Sequence, residues 1–312
     1  MVEPGSTLNG LLRQLDREGV LGEPDEARRR RLGARLYDLF TDVSQRIRVG
    51  EYTLKPGDTL LQVLLRVEQG EVLQRALTLI EGWNMRELRA ALAAAPGLRQ
   101  TLQDIDDKAL MAALGRPGES PEGWFAPDTW YYTSQDTDLD LLRRAYQRQQ
   151  AILEDAWQSR ADNLPYDSAY EVLIMASIIE KETGVPHERG EIAGVFVERL
   201  RRGMRLQTDP TVIYGMGERY EGRIRSADLR EPTPWNTYVI NGLPPTPIAM
   251  PGEEAIRAAV APADTEALFF VARGDGSHVF SRTLEEHNRA VQEYQLRRRA
   301  DYRSSPAPVA TP

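Results

Sequence analysis

The sequence of 312 residues contains no cysteine, and this absence removes several kinds of chemistry at once. Without a thiol the protein has no disulfide framework, no zinc–thiolate site and no cysteine nucleophile. No stretch approaches the ~20 consecutive apolar residues that a membrane-spanning helix requires. The start, "MVEPGSTLNG", also lacks the charged-then-apolar pattern of a secretion signal. We therefore expect a soluble chain, which can still be the ectodomain of an anchored protein.

Basic residues are also fewer than acidic ones, 39 against 47, which gives a formal net charge of -8. Nucleic acid is therefore not an expected partner, because its binding requires a surface that neutralises phosphates. The hydrophobic content of 41% is that of an ordinary globular protein. A chain of this length can bury substantial cores, and two domains are expected rather than one.

Two short segments near the N terminus share one pattern. Pro4 to Leu8 and Pro56 to Leu60 each place a Pro-Gly turn before a run rich in Leu or Val. We expect Ser6 and Asp58 to cap the following helices by accepting hydrogen bonds from free amides. The alternating segment "RIRVGEYTL", residues 46–54, predicts a short strand before the second repeat. Together these features predict a small α+β module.

From residue 79 onward the pattern is mainly helical. Helices are predicted over residues 85–94, 139–156, 169–182 and 284–302, and a hairpin over residues 268–273 and 278–282. The segment "EGWFAPDTWYY", residues 122–132, has two interpretations, because aromatic clusters are more often core residues but also occur in carbohydrate sites. Residues 203–250 are rich in Gly and Pro, which predicts loops of the kind that often line a site.

One predicted helix ends in charge after a long apolar run. Val172 to Ile179 is apolar except for Ser177, which indicates a helix that is buried on most sides. A stop signal follows at Gly184 and Pro186, so Glu182 lies in the last turn.

Glu180 and Glu182 point about 200° apart on a helix, so they cannot share a face. Glu182 lies over Ile178 and Ile179, on the bulkier apolar side. Desolvation and the negative end of the helix dipole predict a raised pKa for Glu182. A carboxyl group that is protonated near neutral pH can serve as a general acid. A solvated or ion-paired glutamate is the commoner alternative at such a position.

A longer set of motifs extends over about residues 79–295. It consists of "ASIIEKET", "ERLRRGMRLQTDPTVIYGMGERY", "PWNTYVINGLPP" and "SHVF" followed by "HNRAV". These motifs, in this order, resemble those of the MltG or YceG-like family of membrane-anchored endolytic transglycosylases. The resemblance implies an α+β protein with a small LysM-like N-terminal domain over 1–78. A mainly helical, lysozyme-like catalytic domain with short strands would follow over 79–302, and a disordered tail over 303–312.

The resemblance also implies a catalytic residue, because the family's catalytic glutamate precedes a Ser or Thr near a helix end. Glu182-Thr183 matches that pairing, and Glu180 is the fallback. The implied substrate-binding residues are Thr183, Gln207, Thr208, Asp209, Tyr214, Asn236, Thr237 and Tyr238. For each of the loop residues among them a turn-stabilising role is the alternative, notably for Asp209 before Pro210 and for Asn236 as an Asx-turn residue.

The implied activity is endolytic cleavage of the MurNAc-GlcNAc bond within peptidoglycan strands, which leaves 1,6-anhydro-MurNAc ends and terminates or sets the length of nascent strands. Two alternatives remain: a peptidoglycan-binding scaffold with little catalysis, and a hydrolytic muramidase that would use Asp209 as a second acid. The implied partners are glycan strands and peptidoglycan synthases. The LysM-like part would either bind glycan or act as a spacer.

The resemblance further implies that the native protein is anchored in the bacterial inner membrane by an N-terminal helix that this chain lacks. The catalytic domain would then face the periplasm. No metal or organic cofactor is expected, because the histidines at 187, 278 and 287 show no metal-ligand spacing and are interpreted as structural or exposed. A basic cluster of Arg199, Arg201, Arg202 and Arg205 is interpreted as a solvated helix face.

Overall fold

A computed structural model describes residues 1–296, which divide into two compact units. The first unit comprises Met1–Leu77, Ala94–Thr101 and Trp130–Leu141. The second comprises Thr78–Ala93, Leu102–Thr129 and the described part of Leu142–Pro312. Helices dominate and short strands accompany them, so the predicted α+β class is confirmed. The predicted tail at 303–312 lies outside the described residues.

The helices and strands follow one another in a simple order. The helices are α1 (Leu8–Arg17), α2 (Pro24–Thr41), α3 (Leu60–Gln69), α4 (Met85–Ala94), α5 (Asp107–Ala113), α6 (Asp138–Gln158), α7 (Ala169–Glu182), α8 (Arg189–Arg201), α9 (Asp209–Met216), α10 (Glu253–Val260) and α11 (Leu284–Val291). The strands are β1 (Arg75–Leu79), β2 (Asp128–Tyr132), β3 (Phe269–Ala272) and β4 (His278–Ser281), paired as β1-β2 and β3-β4.

The predicted helices over 85–94 and 169–182 have the bounds of α4 and α7, and the helix predicted over 139–156 is slightly longer as α6. The last predicted helix differs, because α11 gives way to a π-helical segment, Gln292–Leu296. Its predicted remainder lies outside the described residues.

The first unit has its own apolar core. Leucines of α1 and α3, including Leu11, Leu12 and Leu64, belong to one cluster of buried residues. The segment over 46–54 does not form the predicted strand, since it makes only an isolated bridge from Gly50 to Val2. Its apolar side chains pack against the core instead. The alternation of apolar and polar residues therefore reflects burial of one side of this segment, not pairing with another strand.

The helix caps of the first unit differ from the prediction by one residue. The hydroxyls of Thr7 and Thr59 accept hydrogen bonds from the amide three residues later, at 3.2 and 3.3 Å. Ser6 and Asp58 accept instead from the amide three residues earlier, at 3.0 and 2.7 Å. Ser6 and Asp58 thus each close their Pro-Gly turn by a hydrogen bond. The threonine that follows has an extended backbone and is the N-cap of the helix.

The second unit is built around α7. Every side chain from Val172 to Ile179 is buried, and α7 packs against α8 and α10. Each fully buried Ile, Leu or Val contributes roughly 2 kcal/mol to the stability of the fold. The one polar residue in the run, Ser177, donates to the carbonyl of Ile174 at 2.7 Å and accepts from the amide of Ile248 at 3.0 Å. A firmly packed helix therefore carries the glutamate in its last turn.

The aromatic segment over 122–132 supplies mainly core residues. Trp124 and Phe125 are buried, and the Trp124 ring stacks on Tyr170 with 5.9 Å between ring centroids. Tyr132 is also buried, whereas Tyr131 is 60% exposed. The core interpretation therefore describes most of this segment.

The predicted hairpin is confirmed. Strands β3 and β4 are antiparallel, with Ala272 opposite His278 and Phe269 opposite Ser281. Between them Gly274 and Gly276 have φ values of 93° and 94°, in the region that favours glycine. The turn therefore fixes where His278 begins the second strand.

Candidate functional site

Glu182 occupies the last helical position of α7, where Thr183 ends the helix in an extended conformation. The side chain is partly buried, and one carboxyl oxygen, Oε1, accepts a short hydrogen bond from the hydroxyl of Thr208. The other oxygen, Oε2, has no hydrogen-bond partner among residues 1–296. Glu182 therefore holds one fixed oxygen and one available oxygen.

The protein environment favours the neutral form of this carboxyl group. Burial raises the pKa of Glu182 to about 7, and the negative charge of Asp209 acts in the same direction. The hydrogen bond from Thr208 and the positive charge of Arg199 act in the opposite direction. The raised pKa predicted from the helix pattern is confirmed, with desolvation as its main cause.

Arg199 is buried beside this site, so the prediction of a solvated helix face is wrong for it. Its Nε donates to the carbonyl of Leu268 at 2.6 Å, and Nη1 donates to the carbonyls of Arg205 and Leu206 at 3.1 and 2.8 Å. The guanidinium also lies 5.0 Å from the centre of the Phe269 ring. Arg199 thus places a fixed positive charge near Glu182.

Arg201 and Arg202 behave as predicted, whereas Arg205 lies beyond the end of α8 and donates to the carbonyl of Tyr238 at 3.0 Å. Arg201 and Arg202 form ion pairs with Glu198 at 3.1 Å and are largely exposed. The position of Arg199 on the inner side of α8 was not signalled by the sequence, because a run of similar charges hides which member faces inward.

Glu182 lines a cleft of about 580 Å³. Its lining combines polar residues with a wall from the hairpin and α11. The residues are Glu182, Phe196, Arg199, Leu206, Gln207, Thr208, Asp209, Tyr238, Phe269, Phe270, Val271, Ala272, His278, Leu284, His287, Val291 and Gln295. The structure therefore brings together five of the predicted site residues, namely Glu182, Gln207, Thr208, Asp209 and Tyr238.

A buried hydroxyl network positions Thr208 against Glu182. The backbone N–H of Thr208 donates to the hydroxyl of Thr237 at 3.1 Å, and Thr237 shares a 2.8 Å hydroxyl contact with Thr211. Gln207, just before this point, has a φ of 52°, and its N–H donates to the carbonyl of Thr237 at 3.2 Å. Thr237 therefore supports the site from behind and does not line the cleft.

Asp209 and Tyr238 form a second contact at the cleft. The Tyr238 hydroxyl donates to Asp209 Oδ1 at 2.7 Å. Asp209 is the first residue of α9 and is followed by Pro210, which suits the first turn of a helix. The prediction that Asp209 and Tyr214 lie in a loop is therefore wrong, because a short helix begins there.

Three further predicted site residues do not line this cleft. Asn236 is buried, donates to three backbone carbonyls at 2.8–3.2 Å and accepts from the Tyr238 amide at 3.0 Å, as in an Asx turn. Thr183 is buried and donates to Glu188 at 3.4 Å. Tyr214 donates to Glu122 at 3.0 Å and lines a different cleft. That second cleft has a volume of about 630 Å³.

Glu122 is a buried acid that the sequence did not single out. Its oxygens accept the N–H of Met85 at 3.1 and 3.2 Å and the hydroxyl of Tyr214. Burial raises the pKa of Glu122 to about 7. It stood at the edge of an aromatic segment, and no local pattern marks an acid whose partners are 37 and 92 residues away.

Glu180, the fallback acid, lies on another side of α7. It accepts from the N–H of Gly252 at 3.0 Å and lies 3.6 Å from the guanidinium of Arg189. Burial raises its pKa as well, and the charge of Arg189 opposes that effect. Glu180 therefore ties α7 to the chain before α10.

The described part of the chain holds no group of three or more His, Asp and Glu side chains arranged to bind a metal ion. Within the same residues, every helix is too short or too polar to cross a lipid bilayer.

Comparison with known proteins gives a consistent result. The model of the YceG-like family matches residues 1–293. "Endolytic murein transglycosylase" of Bacillus subtilis is 33% identical over 266 residues, which is 78% of this chain and 72% of that protein. The protein of the same name from Streptococcus pneumoniae serotype 2 is 27% identical over 265 residues, or 81% of this chain and 46% of that protein. A crystal structure of a YceG-like protein from Listeria monocytogenes has a TM-score of 0.59 at 27% identity and covers 92% of this chain and 96% of its own.

Proposed function

Because this chain belongs to the YceG-like family, we propose that it is an endolytic murein transglycosylase with Glu182 as its catalytic acid and base. One observation carries the assignment of the residue. Glu182 has a pKa of about 7, and its carboxyl oxygen Oε2 has no partner among the described residues. Glu182 lines a cleft that also contains other polar side chains. The names of the relatives support the reaction, and the geometry supports the residue.

The first step requires a proton. Neutral Glu182 donates its proton to the oxygen of the bond between N-acetylmuramic acid and N-acetylglucosamine, and the bond from C1 to that oxygen breaks. The carboxylate that remains is stabilised by the hydroxyl of Thr208 and by the positive charge of Arg199. A group with a pKa near 7 suits both directions of proton transfer near neutral pH.

The second step returns the proton. The Glu182 carboxylate removes a proton from the C6 hydroxyl of the same muramyl residue, and that oxygen forms a new bond to C1. The product carries a 1,6-anhydro ring, no water is consumed, and Glu182 ends in its starting state. An attack within one sugar gains from proximity, so a single carboxyl group is sufficient.

The hydrolytic alternative would need a second acid or base near the sugar. Asp209 lines the same cleft and accepts the hydroxyl of Tyr238 through one oxygen, so the muropeptide products distinguish the two reactions. The scaffold alternative is not favoured, since the named relatives are transglycosylases.

The test is mass spectrometry of muropeptides that the wild-type chain and its Glu182→Gln and Glu180→Gln variants release from purified sacculi. We expect anhydro-muramyl products from wild type and from Glu180→Gln, and none from Glu182→Gln. The two variants make the same chemical change in the same helix, so they are matched.

Each other result has a distinct meaning. Reducing ends in place of anhydro ends would identify a hydrolase, and loss of activity only in Glu180→Gln would move the catalytic role to that residue. No product from folded wild type would contradict the proposed activity.

Finer parts of the proposal rest on the family alone. We propose that residues 1–78 form a LysM-like domain and 79–302 the catalytic domain. Thr183, Gln207, Asp209, Asn236, Thr237 and Tyr238 would serve the substrate site directly or as supports, and Tyr214 would act at the second cleft as a support for Glu122. We also propose inner-membrane anchoring with the catalytic domain in the periplasm, a role in setting glycan length, and peptidoglycan synthases as partners. Copurification of synthases with the protein from its native cells would test the last point.

A further inference from the structure

Glu188 and His278 form a buried pair at the cleft of Glu182. Glu188 Oε1 accepts the backbone N–H of His278 at 2.9 Å, and Oε2 lies 2.8 Å from the ring nitrogen Nδ1. The two side chains are only 7% and 8% exposed. Glu188 stands immediately before α8, and His278 opens β4. The pair therefore joins two distant parts of the second unit.

The surroundings of Glu188 fix the tautomer of the histidine. Besides the amide of His278, the hydroxyl of Thr183 donates to the same carboxyl group at 3.4 Å. An ionised carboxylate only accepts, so the atom that faces Oε2 has to carry hydrogen. In the neutral ring the proton is then on Nδ1, and Nε2 is left as an acceptor.

The ring that carries the free nitrogen lines the cleft. His278 lines it together with Glu182, and Nε2 has no hydrogen-bond partner among residues 1–296. The ring is also held by aromatic neighbours, with Phe270 at right angles and 5.5 Å between ring centroids. Nε2 is thus an oriented acceptor on a ring that cannot turn freely.

Most other polar groups of this cleft already have partners in the protein. The hydroxyl of Tyr238 is bound to Asp209, that of Thr208 to Glu182, and the guanidinium of Arg199 to backbone carbonyls. An imidazole nitrogen with no partner at such a site is therefore available for a ligand. Sugar hydroxyls are the commonest hydrogen-bond donors of a glycan.

Resting on the proposed function, we propose that His278 binds the glycan: its Nε2 accepts a hydrogen bond from a sugar hydroxyl and holds that sugar beside Glu182. Glu188 is the positioning residue, because it sets the tautomer and the orientation of the ring. The alternative is that the pair only ties β4 to the start of α8.

The first variant separates these two roles. In His278→Asn the amide nitrogen lies near the place of Nδ1 and keeps a donor for Glu188, but no atom replaces Nε2. We expect at least a ten-fold loss in kcat/KM for release of anhydro-muropeptides, carried mainly by KM, with little change in thermal midpoint. The control is His187→Asn, at an exposed histidine, which should match wild type. Wild-type kcat/KM in the His278→Asn variant would overturn the proposal.

The second variant tests the positioning residue. In Glu188→Gln the new amide N–H can face Nδ1 and donate to it, which moves the ring proton to Nε2 and turns the acceptor into a donor. We expect a loss in kcat/KM similar to that of His278→Asn. Nitrogen NMR of labelled histidine should show the Nδ1–H tautomer in wild type and its change in Glu188→Gln. An unchanged tautomer with unchanged kcat/KM would contradict the role of Glu188.

The third measurement does not depend on catalysis. A chitooligosaccharide is added to Glu182→Gln with labelled histidines, and the Nε2 resonance of His278 is followed. We expect this resonance to shift on binding. A shift together with inactive wild type would leave the glycan contact standing and contradict the transglycosylase function. If wild type is active, the His278 resonance does not shift and His278→Asn is also active, the transglycosylase function stands and the glycan contact of His278 is contradicted.

Discussion

Glu182 and Glu122 are two acids with a pKa of about 7 in different hydrogen-bond environments. Glu122 accepts a backbone N–H from Met85 and a hydroxyl from Tyr214. Glu182 accepts from Thr208, and its Oε2 has no partner in the described part of the chain. Helix α9 serves both acids, since Thr208 precedes its first residue and Tyr214 lies near its end.

The comparison teaches that a raised pKa does not by itself identify a catalytic acid. Both carboxyl groups are desolvated and both line a cleft. Both oxygens of Glu122 already accept hydrogen bonds that hold them in place, and turning either oxygen toward a ligand at the expense of one of these bonds would cost about 1–3 kcal/mol. Glu182 has no such cost at Oε2. The number of accepted hydrogen bonds therefore separates the two acids.

The largest expected effect is on the rate. Glu182→Gln should lower kcat by about 10²–10⁴-fold, which is the usual contribution of a general acid. Glu122→Gln makes the same change at the same pKa and should lower kcat by less than about ten-fold. The measurement is the initial rate of anhydro-muropeptide release. Equal losses in the two variants would remove the distinction between the acids.

The next effect is on stability and its pH dependence. Folding raises the pKa of Glu182 from 4.5 to about 7, so the folded state binds the proton more tightly. Wild-type stability from this group is therefore present below about pH 4.5 and is lost as pH rises through 7. Relative to wild type, Glu182→Gln should gain up to roughly 3 kcal/mol between about pH 4 and pH 8, by urea unfolding. A difference that does not change with pH would contradict the buried carboxyl group.

A smaller effect is expected at the far end of α9. Tyr214→Phe removes the hydroxyl that donates to Glu122 at 3.0 Å and should destabilise the fold by about 1–2 kcal/mol. The rate should stay within a small factor of wild type, since Glu182 is untouched. Thermal unfolding and initial rates on one preparation check both points. A loss of rate without a loss of stability would place Tyr214 at the substrate.

The smallest effect sharpens the comparison. Thr208→Val removes the hydrogen bond that lowers the pKa of Glu182, so that pKa should rise further. The fall in rate on the alkaline side should then begin at a higher pH than in wild type. Tyr214→Phe is the control, because its hydroxyl donates to Glu122 and does not contact Glu182. The full pH–rate profiles decide, and an unmoved profile in Thr208→Val would count against Glu182 as the acid.

Much of α7 could be read from local sequence. The apolar run from 172 to 179 and the stop at Gly184 and Pro186 gave the bounds of the helix, the position of Glu182 and the direction of its pKa. These features depend on residues within one or two turns. They are the interactions that periodicity and capping patterns describe.

Tyr214 illustrates where local reading failed. In a loop, Asp209 and Tyr214 would be free to point toward the same sugar. In α9 they are five residues apart, which places their side chains about 140° from each other. Because this segment is a short helix, Tyr214 contacts Glu122 and not the cleft of Glu182. Recognising Thr208 and Pro210 as the start of a helix would have predicted this placement.

The sequence by itself determined the α+β class, the family, the main helices, the hairpin and the placement of Glu182 at a helix end. The tertiary structure alone decided which groups meet there. Arg199, Glu188 and Glu122 each have a partner that is distant in sequence: Arg199 bonds to Leu268, Glu188 to His278, and Glu122 to Met85 and Tyr214. The burial of a side chain and the number of hydrogen bonds that it makes depend on the residues packed around it in space. The periodicity of the sequence therefore does not predict them.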